Sequence, residues 1–258
     1  MDENKNKIAG SQSASKVLAL LKQVGFHHEK GVRLKELIEL TGQDRSTAHR
    51  LLACLVDEGF VERAAPAKVY RLGIEAMQLG LVSAGMVPVV DRLRPVMKKI
   101  ARQTGDTVFL IVRSGDYALC LHREEGAYPI KVFVVEPGTR RPLGTSSVGV
   151  GILAGLPDAE IVAIHARQAR EYERRGMPLE KLRRIVRETR KNGFSGMTDF
   201  GPEGAGGVGC AFRLSSNSYA GISIAAISSR MPAQRKRELG TLLQQELQPF
   251  AWAPGLKK

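Results

Sequence analysis

Residues 44–72 read DRSTAHRLLACLVDEGFVERAAPAKVYRL, and this stretch is the most informative for the fold of the N-terminal part of the chain. Its first half carries apolar residues three and four positions apart, which predicts an amphipathic helix with Asp44 as its N-cap. Gly59 is the residue type that commonly follows the end of a helix, and two short strand-like runs come after it, at 60–63 and 69–72. The apolar stripe of the helix consists of Ala48, Leu51, Leu52, Leu55 and Val56. The stretch therefore predicts a helix followed by a β-hairpin.

The residues before this stretch predict two further helices. An apolar helical period covers residues 11–25, and a shorter one covers residues 33–40. Residues 41–43, Thr-Gly-Gln, form a tight turn before the third helix. The order helix, helix, turn, helix, hairpin is that of a winged helix-turn-helix. We predict this mostly α-helical fold, with the hairpin as its wing, for residues 11–73, preceded by a disordered tail at 1–10.

The polar face of the predicted third helix carries residue types that suit DNA. Arginine forms bidentate hydrogen bonds with guanine, and Ser, Thr and His reach phosphates or base edges. These residues lie near the N-terminus of the helix, where a recognition helix enters the major groove. The predicted DNA-binding residues are Lys16, Arg45, Ser46, Thr47, His49, Arg50, and, on the hairpin, Lys68 and Tyr70. The alternative is a three-helix bundle of which these side chains form only the solvated face.

The rest of the chain predicts a linker helix at 74–88 and a second domain at 89–258. Strand-like runs are mixed with helical periods there, which favours an α+β fold around an antiparallel sheet. Predicted helices cover 147–154, 158–170 and 179–192, with a last helix from Pro232 onward, and predicted strands cover 107–112, 118–122, 130–135, 194–198, 208–214 and 220–227.

Composition and charge bound the possible functions. The chain has 258 residues, of which 43% are hydrophobic and 25% charged, as in ordinary globular proteins. It has no apolar run long enough for a membrane span, no apolar segment of a signal peptide, and only three widely spaced cysteines. We therefore expect a cytoplasmic protein without disulfides and without a membrane partner.

The net charge of +13 invites a nucleic-acid partner, but its distribution is uneven. Residues 1–90 contain 12 Lys and Arg against 10 Asp and Glu, whereas residues 167–191 alone contain ten against four. The basic stretch 167–191 is typical of a solvated helix pair with internal ion pairs, and the alternative is contact with DNA backbone or an acidic partner.

The N-terminal region resembles the winged helix-turn-helix of IclR-family bacterial transcription regulators. The matching residues are SASKVLALL at 13–21, STAHRLLACLVDEGFV at 46–61, and YRLG at 70–73. The resemblance implies binding to double-stranded DNA at an inverted-repeat operator, as a homodimer or a dimer of dimers. It leaves open whether the protein represses or activates.

The resemblance continues into the second domain. Residues 140–154, RRPLGTSSVGVGILA, look like the loop-to-helix element around the family's effector pocket, although Val150 and Gly151 depart from its common residues. The resemblance implies a small organic acid as the effector, and it makes residues 89–258 an effector-binding domain. The positions that correspond to the family's effector contacts are Leu143, Ser147, Val148, Asp199, Cys210 and Ser223.

The residue types themselves are compatible with an anion in the second domain. Thr145, Ser146 and Ser147 precede a short predicted helix, where hydroxyl groups and free backbone N–H groups converge. The alternative is a simple helix cap. Arg140 and Arg141 lie close in sequence and would attract a carboxylate, as would Arg213, which is more typical of an exposed strand residue.

Two other motifs do not indicate a nucleotide or metal site. The GxGxxG match at 204–209 leads into a predicted strand rather than a helix, so we expect no nucleotide cofactor. Cys120 and His122, two residues apart on a predicted strand, are expected to share one face as packed residues rather than as metal ligands. We therefore predict no cofactor, no metal site and no catalytic residue. The alternatives are an enzyme that acts on a small carboxylate and carries a DNA-binding module, and a pure interaction scaffold.

Overall fold

The chain divides into two units, residues 1–87 and 88–258, and the described part of the first consists of four helices and a hairpin. In the computed structural model, the described residues are 11–84, 88–133, 135–198, 204–215 and 218–250. The elements of the first unit are α1 (Gln12–Phe26), α2 (Leu34–Thr41), α3 (Arg45–Asp57), β1 (Val61–Ala64), β2 (Val69–Leu72) and α4 (Ile74–Ala84).

The apolar stripe of α3 forms the centre of this unit. Ala48, Leu51, Leu52 and Leu55 are buried against residues of α1 and α2 and of the hairpin. Gly42 ends α2 with a φ of 65°, a left-handed conformation that glycine adopts without steric cost. The tight turn between α2 and α3 therefore has the residue type that its backbone requires.

The second unit is built on one six-stranded sheet. Its elements are α5 (Pro88–Thr104), β3 (Thr107–Ser114), β4 (Tyr117–Glu124), β5 (Arg140–Pro142), α6 (Ser147–Ala154), α7 (Asp158–Arg167), α8 (Ala169–Arg174), α9 (Leu179–Asn192), β6 (Ser195–Thr198), β7 (Ala205–Arg213), β8 (Tyr219–Ile227) and α10 (Ala233–Leu247). Short 3₁₀ turns cover 228–230 and 248–250. The strand order is β5-β4-β3-β8-β7-β6, and every neighbouring pair is antiparallel.

The two faces of this sheet belong to two separate cores. Helices α5 and α10 cover one face, with Val108, Leu110 and Ile222 pointing toward them. Helix α6 packs on the other face, where Phe109 and Ile111 point. The predicted helix-turn-helix followed by an α+β domain with an antiparallel sheet is thus confirmed.

One predicted strand is wrong. Residues 130–133 and 135, part of the run predicted as a strand at 130–135, do not join the sheet; the edge beside β4 is taken by β5 instead. Ile130 and Phe133 are about half exposed, whereas Val132 and Val135 pack against the core. The apolar character of this run therefore reflects the packing of Val132 and Val135 against the core rather than pairing with a strand.

A β-bulge corrects a second expectation. The pairing between β3 and β4 shifts so that Leu110 lies opposite His122 while Ile111 lies opposite Cys120. Because neighbouring residues of β3 point to opposite faces, Cys120 and His122 lie on opposite faces of the sheet. The prediction that they share a face is wrong, since a bulge removes the simple period of two.

Candidate DNA interface and effector cavity

The start of α3 presents the predicted DNA-binding side chains to solvent. Asp44 has an extended backbone and accepts a hydrogen bond from the backbone N–H of Thr47, at 2.8 Å. This hydrogen bond holds the pKa of the Asp44 carboxyl below its usual value. Arg45, Ser46 and His49 are exposed in the first turns of the capped helix. Arg50 is also exposed, so four candidates share the solvent side of α3.

The remaining candidates differ in their exposure. Lys16 on α1 is exposed, and its backbone carbonyl accepts a hydrogen bond from Gln43 in the turn before α3, which joins this turn to α1. Lys68 is exposed in the turn between β1 and β2, where a wing would meet DNA backbone. Thr47 is half-buried, and its N–H is used by the cap.

Tyr70 does not belong to this surface. Its side chain is 6% exposed and lies in the core of the first unit with Leu52 and Val61. Its backbone pairs with Val32, which attaches the hairpin to the segment before α2. The structure therefore corrects the expectation that Tyr70 reaches DNA, because the alternation along β2 points this side chain inward.

A cavity lies in the second unit between the sheet and the N-terminus of α6. Residues of β3, β4, β5 and β8 and of the start of α6 surround it. Its wall is mainly apolar, with Phe109 and Ile111 from β3, Ala118 from β4 and Ala225 from β8. Hydroxyl groups are supplied by Ser146, Ser147, Ser223 and Thr139, and further lining comes from Cys120, Val135 and Arg141.

The strand register explains why these residues meet. Phe109 lies directly opposite Ser223, and Ile111 lies opposite Cys120, so each pair points to the same face. Ser146 caps α6 by accepting a hydrogen bond from the Gly149 N–H at 3.2 Å. The cap hypothesis for the Thr-Ser-Ser run is thus confirmed for Ser146, while Ser147 follows it at the cavity.

Arg141 brings a positive charge to a largely apolar wall. It reaches the cavity from β5, the edge strand, and burial lowers its pKa from the usual value. A guanidinium keeps its proton in proteins even so, because its reference pKa lies far above neutral pH. Arg140 points elsewhere and stacks over the ring of Tyr117 at 4.7 Å, and Arg213 lies over the ring of Tyr219 at 5.6 Å.

Only part of the predicted effector set lines this cavity. Of the six predicted residues, Ser147 and Ser223 line the cavity. Leu143 and Val148 are fully buried in the core on the same side of the sheet and do not line the cavity. Asp199 lies outside the described residues.

Cys210 needs a correction. It belongs to the core on the α5 and α10 side of the sheet, and its thiol donates a hydrogen bond to the Gly193 carbonyl at 3.5 Å. Cys120 is the thiol that lines the cavity. Burial raises the pKa of both thiols to about 11, so neither is ionised near neutral pH.

Most of the cavity wall has no distinctive signal in the amino-acid sequence. Phe109, Ile111 and Ala118 lie at alternate positions of two strands, which is a signal for a shared face but not for a cavity. Arg141 stands out in the sequence only through its charge. Within the part of the chain that the structure describes, no cluster of His, Cys, Asp and Glu is arranged to hold a metal ion, and no helix is long and apolar enough to cross a membrane.

Comparison with known families agrees with this two-part architecture. Residues 13–65 match the IclR helix-turn-helix domain, and residues 83–249 match the model described as bacterial transcriptional regulator IclR C-terminal. The chain belongs to the IclR family. It is therefore a transcriptional regulator with a DNA-binding helix-turn-helix.

Individual IclR-family relatives support this assignment. The chain is 27% identical over 246 residues to the HTH-type transcriptional regulator TtgV of Pseudomonas putida, covering 95% of this chain and 91% of TtgV. It is 32% identical over 161 residues to KipR of Bacillus subtilis, covering 62% of this chain and 61% of KipR. It is 26% identical to the transcriptional repressor IclR of Escherichia coli over 250 residues, covering 90% and 86% of the two chains. These relatives are all named as regulators.

A solved structure has the same fold. An IclR-family transcriptional regulator from Brucella abortus superimposes with a TM-score of 0.78 at 21% identity, covering 96% of this chain and 93% of that one. The IclR of Thermotoga maritima gives a TM-score of 0.56 at 21% identity, covering 92% of this chain and 96% of that one.

Proposed function

We propose that this IclR-family regulator binds a specific operator through the exposed start of α3, and that a small organic acid in the cavity of the second unit changes its operator affinity. The observation that carries the proposal is the pairing of a capped, solvent-facing helix start in one unit with a mainly apolar, Arg-containing cavity in the other. The protein would act in the cytoplasm, where operator and metabolite are both present.

The DNA-binding half of the proposal rests on exposure and placement. Arg45, Ser46, His49 and Arg50 are exposed in the first two turns of α3. Side chains at this end of a recognition helix reach base edges, and the partial positive charge of the helix N-terminus favours nearby phosphates. The operator would be an inverted repeat if the protein binds as a dimer, because two-fold protein symmetry imposes two half-sites.

Alanine substitutions test the DNA-binding half. Arg45→Ala and Arg50→Ala should each weaken binding to an operator duplex by roughly 10- to 100-fold, since one good base contact is worth about 1–3 kcal/mol. The control is Lys22→Ala, an exposed residue of α1 outside the predicted set. The operator is first selected from the region upstream of the gene, and affinity is measured by fluorescence anisotropy. Unchanged affinity in folded Arg45 and Arg50 variants would contradict the proposal.

The effector half rests on the chemistry of the cavity wall. An acid with an apolar body would place that body against Phe109 and Ile111 and its carboxylate near Arg141. An arginine pairs well with a carboxylate because its planar N–H groups donate two parallel hydrogen bonds. Ser147 and Ser223 supply hydroxyl groups for the remaining polar atoms. Binding would shift operator affinity only to the extent that the acid prefers one arrangement of the protein.

A pairwise ligand screen tests the effector half. Aliphatic and aromatic monocarboxylates, for example isovalerate and benzoate, are compared with their uncharged amides by thermal shift and calorimetry. We expect acids to bind better than amides, and Arg141→Gln to remove this preference. Arg213→Gln, at an exposed position outside the cavity, is the matched control. The proposal fails if no acid stabilises the protein, or if the preference survives in Arg141→Gln.

The proposed oligomer has a specific apolar surface to support it. Helix α4 exposes large apolar side chains at Met77, Leu79, Leu81 and Val82, each more than half exposed. Such a run of exposed apolar residues marks a contact with another chain. We propose that it contributes to a homodimer, or to a dimer of dimers. Light scattering should show a dimer or larger species, and Leu81→Glu should shift it toward the monomer.

A further inference from the structure

Helix α9 in the second unit presents a stripe of cations to solvent. Its inner side buries Leu182 and Val186 in the core beside α6. On its outer side, Arg184, Arg187 and Lys191 follow one another at three- and four-residue spacing, and all three are exposed. Residues at such spacing lie on one face of a helix. The stripe is therefore one continuous surface about 10 Å long, at 1.5 Å per residue.

Arg183 and Arg190, two further cations of α9, have ion-pair partners. Arg183 forms an ion pair with Glu180 at 3.2 Å, and Arg190 pairs with Asp158 at 2.7 Å. Arg190 also donates hydrogen bonds to the backbone carbonyls of Ala154 and Leu156. Arg190 thus joins α9 to the end of α6 and the start of α7, whereas Arg183 is paired within α9. The positive charges of Arg183 and Arg190 therefore have partners within the folded unit.

The three cations of the stripe have no comparable partners within the described residues. Arg184, Arg187 and Lys191 make no ion pair or side-chain hydrogen bond with any residue in the described ranges. Favourable interaction with the helix dipole is confined to the last turn, so it applies to Lys191 but not to Arg184 or Arg187. Like charges at this spacing also repel slightly. Glu188, exposed on the same helix, offsets one of the three charges and leaves a net excess.

We propose that the Arg184–Arg187–Lys191 stripe contacts the phosphate backbone of operator DNA. This inference rests on the proposed DNA binding and adds a second contact surface, outside the helix-turn-helix. Guanidinium groups fit phosphate oxygens bidentately, and a row of cations matches the regular charge of a duplex. The first 90 residues have only 12 Lys and Arg against 10 Asp and Glu, so the unit that reads the bases brings little excess charge of its own. The second unit supplies the missing electrostatic attraction.

The dependence of DNA affinity on salt tests the proposal directly. Full-length protein is titrated with an operator duplex that carries flanking DNA on each side, roughly two helical turns long, at salt concentrations from about 50 to about 200 mM KCl. The double variant Arg184→Gln/Arg187→Gln should reduce the magnitude of the slope of log K against log salt by about 0.9 for each phosphate that is no longer neutralised. The ratio of operator to scrambled-duplex affinity should stay unchanged, because phosphate contacts carry no base information.

A matched variant separates local contact from overall charge. Lys98→Gln/Arg102→Gln removes the same number of charges from exposed positions of α5, which packs on the opposite face of the sheet. We expect this variant to keep the wild-type slope. An equal reduction of the slope in both variants would overturn the proposal, since it would show only an effect of net charge.

Two further outcomes would also overturn the proposal. One is an unchanged slope for Arg184→Gln/Arg187→Gln, with weaker binding of an acidic protein partner instead. The other is a change in base preference, which would indicate base contact rather than backbone contact. Absence of operator binding by the wild-type protein itself would show that the proposed function had failed. Circular dichroism with thermal melting checks that the variants remain folded, as the exposed positions lead us to expect.

Discussion

Oδ1 of Asp44 lies 2.8 Å from the backbone nitrogen of Thr47, and this hydrogen bond fixes where α3 begins. It satisfies an N–H group that has no partner inside the helix. The first helical residues after the cap are Arg45 and Ser46, both exposed. The side chain that caps the helix therefore also sets the position from which the proposed DNA contacts extend.

Removal of this cap should lower the stability of the first unit against unfolding. We expect Asp44→Ala to lower the melting temperature and to weaken DNA binding, whereas Asp44→Asn, which keeps an acceptor oxygen, should retain most of both. Because folding lowers the pKa of Asp44, its stabilisation is present above the unfolded-state pKa and is lost as the pH falls through the lower folded-state pKa. Thermal melts of the wild type, Asp44→Ala and Asp44→Asn, from acidic to neutral pH, measure this dependence of stability on pH. Equal melting of wild type and Asp44→Ala at neutral pH would contradict the assignment.

Tyr70 should matter for stability rather than for DNA contact. We expect Tyr70→Ala to lower the free energy of unfolding by about 3 kcal/mol, as for other large side chains removed from a core. Tyr70→Phe keeps the ring and should leave operator affinity within about two-fold of wild type, a difference of about 0.4 kcal/mol. Urea denaturation and fluorescence anisotropy measure the two quantities. A folded Tyr70→Phe variant with much weaker DNA binding would show that the hydroxyl group does reach DNA.

Gly209 on β7 allows α6 to approach the sheet. A Cβ atom at this position would lie 2.6 Å from the backbone nitrogen of Val148 and 2.8 Å from the carbonyl carbon of Ser147. Backbone atoms cannot move aside as a flexible side chain can, so Gly209→Ala should displace the start of α6 at a cost of about 1–3 kcal/mol. Since Ser147 lines the cavity, binding of an acid should weaken as well.

A glycine with open space around it provides the control for this substitution. Nothing lies within 4 Å of a Cβ atom built on Gly80, in helix α4, and Gly80→Ala should be neutral or stabilise by up to about 1 kcal/mol. Differential scanning calorimetry compares both variants with wild type. Equal stability of Gly209→Ala and Gly80→Ala would mean that α6 does not pack as closely as described.

The three cysteines should differ in reactivity. Cys54 is exposed, whereas Cys120 and Cys210 are buried thiols whose pKa is raised to about 11. We expect iodoacetamide near neutral pH to modify Cys54 first in the native protein, and all three in urea, as read by peptide mass spectrometry. An acid in the cavity should protect Cys120 further and leave Cys210 unchanged, because Cys120 lines that cavity and Cys210 lies in the other core. Protection of Cys210 instead would place the ligand on the other side of the sheet.

Much of the first unit follows from local sequence. The spacing of Leu51, Leu52 and Leu55 predicts the helix and its buried face, and Asp44 and Gly42 mark its start and the preceding turn. These signals are local, because helix hydrogen bonds and caps join residues only a few positions apart. The exposure of Arg45 and Arg50 follows from the same period.

The candidate effector site depends on more than local pattern. Ser147 and Ser223 meet at one cavity although they are far apart in the chain, because β8 lies beside β3 and α6 packs across both. The family resemblance points to these two serines, but it also points to Cys210, which lies on the other face. It does not point to Arg141, which an edge strand too short for a periodic pattern brings to the cavity.

The class of both units, the helix that starts at Arg45 and the family can all be read from the order of the amino acids. The folded chain alone shows which side chains share a surface: that Tyr70 is buried, that Cys120 rather than Cys210 lines the cavity, and that Arg184 and Arg187 face solvent together. This division follows from the range of the interactions. Helix periods and caps act over a few residues, whereas strand order, a bulge and the packing of α6 on the sheet join segments far apart in the chain.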